Sequence, residues 1–334
     1  MAAGEQVWLG LDIGGTKVAA ALVDGQGRVR ESLELPTLAD APFAVSFGQV
    51  VRAARTLLDR AAAAGIRVAG VGAGFPGPLD PREGVLYNPP NLRQWDGARV
   101  RDLLRDALGL PVAVENDANV AALGEARYGA GQGCSLVVYF TLGTGVGGAV
   151  VWDGRIFPGA RGGAGELGHL IVEAGGQPCP CGGRGCLEAY ASGPALVRRM
   201  QAALAAGGGA SVLAAVSPLT AAAVVEAVRQ GDALAARVWE ETMRYLAAGV
   251  VSAVHAFNPD VVVIGGGLAA AGDLLFEPVR RLVREGGMPY LVRELEIRPA
   301  ALGRDAGVVG AAALAQETLV QDDAPAQGQS GTTL

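Results

Sequence analysis

The chain has 334 residues, half of them hydrophobic but only 5% aromatic, with 51 glycines and a formal net charge of −6. That length exceeds what one hydrophobic core ordinarily serves and favours two lobes whose interiors are built from Ala, Val and Leu. The negative balance supplies no basic field for a nucleic-acid backbone. Met1-Ala-Ala-Gly-Glu-Gln6 lacks the charged and apolar regions of a secretory signal, so a cytoplasmic protein with no nucleic-acid or membrane partner is expected.

In chain order, Val7-Trp-Leu-Gly-Leu-Asp-Ile13, a Gly14-Gly15-Thr16 turn and Lys17-Val-Ala-Ala-Ala-Leu-Val23 predict a β-hairpin. A helical pattern over 43–64 follows, then an apolar strand over 68–75 stopped by Pro76-Gly-Pro78. The stretch 88–95, with two prolines and two asparagines, reads as a loop rather than an element. A strand over 112–115 then leads into a helix from Asp117 to about Tyr128.

The same grammar restarts with a strand over 136–142, a glycine turn over 143–148 and a strand over 149–152. This is a weak internal repeat of strand, Gly/Thr turn and strand. A long helix over 232–257, a buried strand at Val261-Val-Val-Ile264, a Gly265-Gly266-Gly267 turn and a helix over 305–320 complete the pattern. The tail 322–334 has the composition of a disordered segment. The uncharged stretches 128–152 and 200–225 are long enough to span a bilayer. Glycine clusters in both, and Pro218 in the second, break the continuity a lipid-facing helix needs.

Glycine lets backbone N–H groups approach an anion closely, and a neighbouring Thr adds a hydroxyl donor. Each glycine turn alone reads equally as an ordinary hairpin; the first two gain weight because they occupy matching positions in two lobes. None fits a P-loop or a dinucleotide fingerprint, since the first leads into a strand and no Gly-x4-Gly-Lys-Ser/Thr occurs. Asp12, at the end of an apolar strand, either caps its own turn or meets Mg2+ and phosphates. Asp117, at a helix start beside Glu115 and Asn116, is either an N-cap or the base of a phosphoryl transfer. Cys179, Cys181 and Cys186 fall within eight residues, with His169 ten residues upstream. That donor set predicts a closed, structural Zn2+ site rather than a disulfide. Cys134 and His255 lack such context and are expected to be a small core residue and a satisfied core histidine.

Asp12-Ile-Gly-Gly-Thr-Lys17, Glu115-Asn-Asp-Ala-Asn119, Gly143-Thr-Gly-Val-Gly-Gly148, Glu166-Leu-Gly-His169 and Cys179-Pro-Cys-Gly-Gly-Arg-Gly-Cys-Leu-Glu188 together resemble the ROK family of sugar kinases and sugar-responsive repressors, over residues 7–320. The resemblance implies an α/β, two-lobed actin/hexokinase-like (ribonuclease H-like) ATPase fold with an interlobe cleft. The smaller lobe would comprise 1–116 plus 305–321, and the larger, with the zinc site, 117–304. It implies ATP phosphates held by Asp12, Gly14, Gly15, Thr16, Lys17, Thr144 and Gly145, with Gly265, Gly266 and Gly267 near the adenosine. Asp117 would be the general base, and Asn91, Asn116, Glu166, His169 and Glu188 would join it around the sugar; Glu115 would be structural.

The expected activity is ATP-dependent phosphorylation of a hexose, glucose first because Gly74-Phe-Pro-Gly-Pro78 is similar to glucokinase members. N-acetylhexosamines and fructose are the alternatives, and the family suggests a homodimer or homotetramer. The rival from another class is a sugar-responsive repressor or non-catalytic sensor. A repressor would need a DNA-binding domain ahead of the first turn, which arrives by residue 14; a degenerate sensor would be expected to lack Asp117 or the glycines. Two places depart from the family pattern. Ala149 stands where a third glycine is usual, and Asn91-Leu-Arg-Gln-Trp95 replaces Asn-Leu-Pro-Gly-Trp.

Overall fold

The computed structural model describes residues 6–321, and these divide into two compact units. One comprises the chain up to Gly124 together with residues from Asp305; the other is Glu125–Arg304. The segments 1–5 and 322–334, including the tail expected to be disordered, lie outside the described residues.

In the first unit β1 (Gln6–Ile13), β2 (Lys17–Asp24) and β3 (Val29–Pro36) form an antiparallel meander. Helix α1 (Phe43–Ala63) leads to β4 (Arg67–Phe75), which pairs parallel to β1. The short β5 (Leu79–Asp80) and β6 (Val85–Leu86) pair with each other, and α2 (Val100–Leu108) precedes β7 (Val112–Asn116), parallel to β4. The sheet order is β3-β2-β1-β4-β7. Leu9, Leu11, Val71 and Phe75 form a core with Val50, Leu57 and Leu104 of α1 and α2. The stretch 88–95 is not wholly irregular as expected. Arg93–Trp95 makes a single 3-10 turn because Trp95 is fully buried, among Phe43, Phe47 and Phe75, with its indole N–H donated to Ser46 Oγ at 2.9 Å.

Helix α3 (Asp117–Tyr128) follows β7 directly, and in the second unit β8 (Leu136–Leu142), β9 (Val146–Trp152) and β10 (Arg155–Ile156) form another antiparallel meander. The helices are α4 (Glu188–Ala191), α5 (Gly193–Ala205), α6 (Ala221–Arg229) and α7 (Ala233–Phe257). Strand β11 (Val261–Gly265), α8 (Asp273–Gly286), α9 (Pro289–Val292) and β12 (Glu296–Pro299) end the unit. Its sheet order, β10-β9-β8-β11-β12, repeats that of the first. The first uncharged stretch thus folds as the β8–β9 hairpin and the second breaks between α5 and α6. Among the described residues no helix is long and apolar enough to cross a membrane.

The second glycine turn is shorter than expected, because β9 begins at Val146 and Gly147 and Gly148 pair with Thr141 and Phe140. A Cβ on Gly148 would lie 2.5 Å from that of Leu167, so this glycine makes room for a loop packed on the strand. Ala149, the departure from the family pattern, lies inside β9, fully buried opposite Tyr139, and leaves the turn untouched. His255 is satisfied but not in the core: it is exposed, and its Nε2 accepts the Met288 N–H at 3.0 Å. Cys134 is half-buried beside Arg298 rather than a core residue.

Helix α10 (Ala306–Gln321) returns the chain to the first unit. It lies so close to the sheet that a Cβ on Gly10 would fall 1.9 Å from the Val308 carbonyl oxygen, and one on Gly72 1.7 Å from that of Ala311. In the second unit the fully buried Glu125 carboxylate accepts backbone N–H bonds from Ala130, Ala301 and Leu302 at 2.8–2.9 Å. Glu125→Gln puts an amide donor against one of those donors and is expected to destabilise the protein by about 2–3 kcal/mol. An unchanged urea midpoint would remove this anchoring role.

Candidate active site

In the first unit the β1–β2 turn is closed by a Gly14 N–H to Lys17 carbonyl bond of 2.9 Å. A residue not singled out from the sequence, the fully buried Thr37, braces it. Thr37 donates its hydroxyl to the Gly14 carbonyl at 2.6 Å and its N–H to the Thr16 carbonyl at 3.0 Å. Thr16 itself is exposed, and Lys17 is paired with Glu34. Asn91, though exposed, comes over Gly15, where a Cβ would stand 2.7 Å from its own. Leu92 and Trp95, both fully buried, anchor this loop, while the divergent Arg93 and Gln94 face solvent.

Asp12 packs against Gly307 in the first turn of α10, where a Cβ would meet Asp12 Oδ2 at 2.4 Å. Loss of hydration raises its carboxyl pKa, with Lys17 opposing and Glu34 adding to the rise. A carboxylate so placed suits a cation ligand.

The junction between β7 and α3 shows which side chains cap the helix. The N-cap is Asn116, whose Oδ1 accepts from the N–H groups of Ala118 at 2.9 Å and Asn119 at 3.3 Å. Asn116 Nδ2 donates one hydrogen to the Gly77 carbonyl at 3.1 Å, leaving its second for another acceptor. Asp117 is the first residue of α3 and half-buried, and Oδ1 also receives the Ala118 N–H at 2.8 Å. Capping therefore does not require this carboxylate.

In the second unit the β8–β9 turn is closed by a Gly143 N–H to Gly145 carbonyl bond of 2.9 Å. The Gly193 N–H at the start of α5 bonds the Gly143 carbonyl at 2.8 Å, and Thr144 is exposed. Glu188, at the start of α4, accepts the Val146 N–H on Oε2 at 2.9 Å and occupies the space above Gly145, where a Cβ would lie 2.4 Å away. Gly267 and the 3-10 turn it begins border a cavity of about 700 Å³ with Gly143 and Thr144 at one edge. Its walls are mainly apolar, including Val197, Leu219, Val225 and Leu268. Gly265 ends β11, buried against Tyr139, and Gly266 is exposed with a positive φ of 83°.

The ligand atoms of His169, Cys179, Cys181 and Cys186 all lie within 4.8 Å of one another. Tetrahedral Zn2+ with Zn–S of about 2.3 Å and Zn–N of about 2.0–2.1 Å implies edges of about 3.8 Å between sulfurs and about 3.6 Å from sulfur to nitrogen. Cys181 and Cys186 Sγ are 3.7 Å apart, and Cys179 Sγ lies 3.6 Å from His169 Nδ1. Burial pushes the Cys179 thiol up to about 12 and raises that of Cys186, whereas the Gly183 N–H lowers that of Cys181. A bound dication would stabilise these closely packed sulfurs as thiolates. With Nδ1 turned to the cysteines, His169 Nε2 faces the exposed Glu166, 3.9 Å from its Oε2.

A model of the ROK family matches residues 8–318. A glucokinase of Thermotoga maritima is 38% identical over 317 residues, covering 93% of this chain and 98% of the relative. The solved structure of a ROK hexokinase from Thermus thermophilus is 38% identical with a TM-score of 0.79, covering 95% of this chain and 99% of that one. A ROK family glucokinase from Streptomyces griseus, solved in complex with glucose and AMPPNP, is 37% identical with a TM-score of 0.76, covering 93% and 99%.

Proposed function

The chain belongs to the ROK family, with its two-lobed actin/hexokinase-like fold, and on that premise we propose that it is an ATP-dependent hexokinase converting glucose to glucose 6-phosphate. Kinship with glucokinases over nearly the whole chain, and with a structure holding glucose and AMPPNP, supports the sugar and the donor. The observation that carries the reading is the strand–helix junction, which sets Asp117 at the first residue of α3 while Asn116 caps the helix.

Asp117 accepts the proton of the attacking sugar hydroxyl as its oxygen bonds to the γ-phosphorus and ADP leaves. Asn116, through its remaining amide hydrogen, Asn91, Glu166, Glu188 and His169 Nε2 are the sugar ligands of this reading. Backbone N–H groups of Gly15, Lys17 and Gly145, with the Thr16 and Thr144 hydroxyls and the Lys17 ammonium, hold the phosphates, while Gly14 closes the first turn through its own N–H. Gly265, Gly266 and Gly267 shape the adenosine site, and the apolar cavity walls suit a purine better than a chain of phosphates. Mg2+, held near Asp12, would neutralise charge on the transferring phosphoryl group. Zn2+ on His169, Cys179, Cys181 and Cys186 is structural, because four protein ligands close the site to water. A reduced thiol cluster suits the cytoplasm, and the assembly is a homodimer or homotetramer.

ADP release measured over a hexose panel with saturating ATP tests this reading. Turnover is expected to be fastest with glucose. A faster rate with an N-acetylhexosamine or fructose would replace the substrate, and no turnover with any hexose would overturn the kinase.

A further inference from the structure

Helix α4, which begins at Glu188, is a single turn of four residues. So short a helix does not hold itself in place, and its last carbonyls depend on donors from outside the turn. For Tyr190 the following backbone is badly placed to supply one. The residue four positions on is Pro194, which has no N–H, and the Gly193 N–H is given to the Gly143 carbonyl at 2.8 Å. Tyr190 is buried, and a buried carbonyl needs a partner.

Arg199 of α5 supplies it, with Nη1 3.2 Å from the Tyr190 carbonyl oxygen. The same nitrogen donates to Thr242 Oγ1 at 3.0 Å, while Nη2 donates to the Val238 carbonyl at 3.2 Å and meets Glu241 Oε2 at 2.7 Å. Val238, Glu241 and Thr242 all belong to α7. The guanidinium also stands 5.6 Å from the centre of the Tyr245 ring, itself stacked on the Tyr190 ring at 4.1 Å. The start of α4 has a separate anchor, since Leu187 fills the space above Gly249 of α7, where a Cβ would lie 2.6 Å from Leu187 Cδ2. Tyr190 carries the connection onward. Its hydroxyl accepts the Gln177 N–H at 2.7 Å, and Gly176 is bare where a Cβ would stand 2.0 Å from that oxygen.

We propose that Arg199 is a positioning residue for the sugar site: by joining the end of α4 to α7 it fixes the turn from which Glu188 is presented. The proposal rests on Glu188 being a sugar ligand. A guanidinium offers several donors in one rigid plane, so a single side chain holds a carbonyl of α4 and acceptors of α7 together; an ammonium brings charge without that fork. Hydrogen bonds weaken steeply with misalignment, so a turn left free to shift binds a sugar hydroxyl less well.

The test is Arg199→Met, assayed with glucose and ATP well below its melting temperature. The glucose KM is expected to rise roughly five- to tenfold, about the worth of one hydrogen bond to a charged group, with kcat and the ATP KM each within about threefold. Zinc content should equal that of the wild type, because Arg199 contacts none of the four donors. A lowered melting temperature with an unmoved glucose KM would reduce Arg199 to a structural residue and overturn the proposal. So would a raised KM found only with loss of the metal, which would assign the effect to the zinc loop. If Arg199→Met does not fold, Arg199→Lys carries the test: a raised glucose KM beside a wild-type ATP KM supports the proposal, and a wild-type glucose KM overturns it. Glu188→Ala run alongside separates the two readings. An unmoved glucose KM there ends the sugar-ligand assignment and this proposal with it, whereas a raised KM there beside an unmoved one in Arg199→Met ends the proposal alone.

Discussion

Asp117→Ala is expected to lower kcat for glucose phosphorylation by about 10²- to 10⁴-fold, with the sugar KM changed no more than a few-fold. The split follows from the geometry. Asn116 supplies the helix cap and keeps its oxygen on the Ala118 and Asn119 N–H groups when residue 117 is shortened, so α3 should still start in place. Binding draws on several side chains, whereas only one group takes the hydroxyl proton. A loose transition state places much of the remaining demand on charge neutralisation and alignment, which the glycine turns keep. Circular dichroism and melting temperature close to wild type should accompany the lost rate. Turnover equal to that of the wild type would remove Asp117 from the chemistry.

Cys186→Ser is expected to reduce the zinc content from about one per chain to near zero, to lower the melting temperature, and to raise the glucose KM by about tenfold or more. Cys186 is one of the four proposed ligands and also the partner of Ile171 in a backbone bridge, two residues before Glu188. Losing the metal therefore loosens both ends of the loop that presents His169 and Glu188. The Glu188 bond to the Val146 N–H links that loop to the phosphate turn, so ATP binding should weaken as well, though less. Metal analysis of reduced, chelator-free protein and sugar titration read these effects. Wild-type protein without zinc would end the metal assignment, and an unchanged sugar KM in the metal-free variant would detach the cluster from the sugar pocket.

Local signals were the legible ones. The first hairpin, the clustering of Cys179, Cys181 and Cys186, and the start of α3 each depend on residues close together in the chain, where turn chemistry and donor spacing act directly. The choice between Asn116 and Asp117 as cap was not legible, because both residue types serve and only backbone geometry decides. Gly147 and Gly148 read as turn because glycine count cannot distinguish a bend from a strand that must admit Leu167. Glu125 escaped notice because two of its donors, Ala301 and Leu302, are 176 and 177 residues away along the chain. Thr37 likewise meets Gly14 across 23 residues, with no motif to join them. His255 looked internal from its apolar neighbours, yet the helix turns it to solvent.

Helix α10 carries a consequence for synthesis. The first sheet leaves the ribosome early, but the face bearing Gly10 and Gly72 is closed only by residues beyond 305. The middle unit, contiguous in sequence, has all its parts before then and is free to fold first. A nascent chain stalled short of Ala306 should thus present a protease-resistant 125–304 fragment beside a digestible amino-terminal portion. Release of the final helix would convert both to the resistant form.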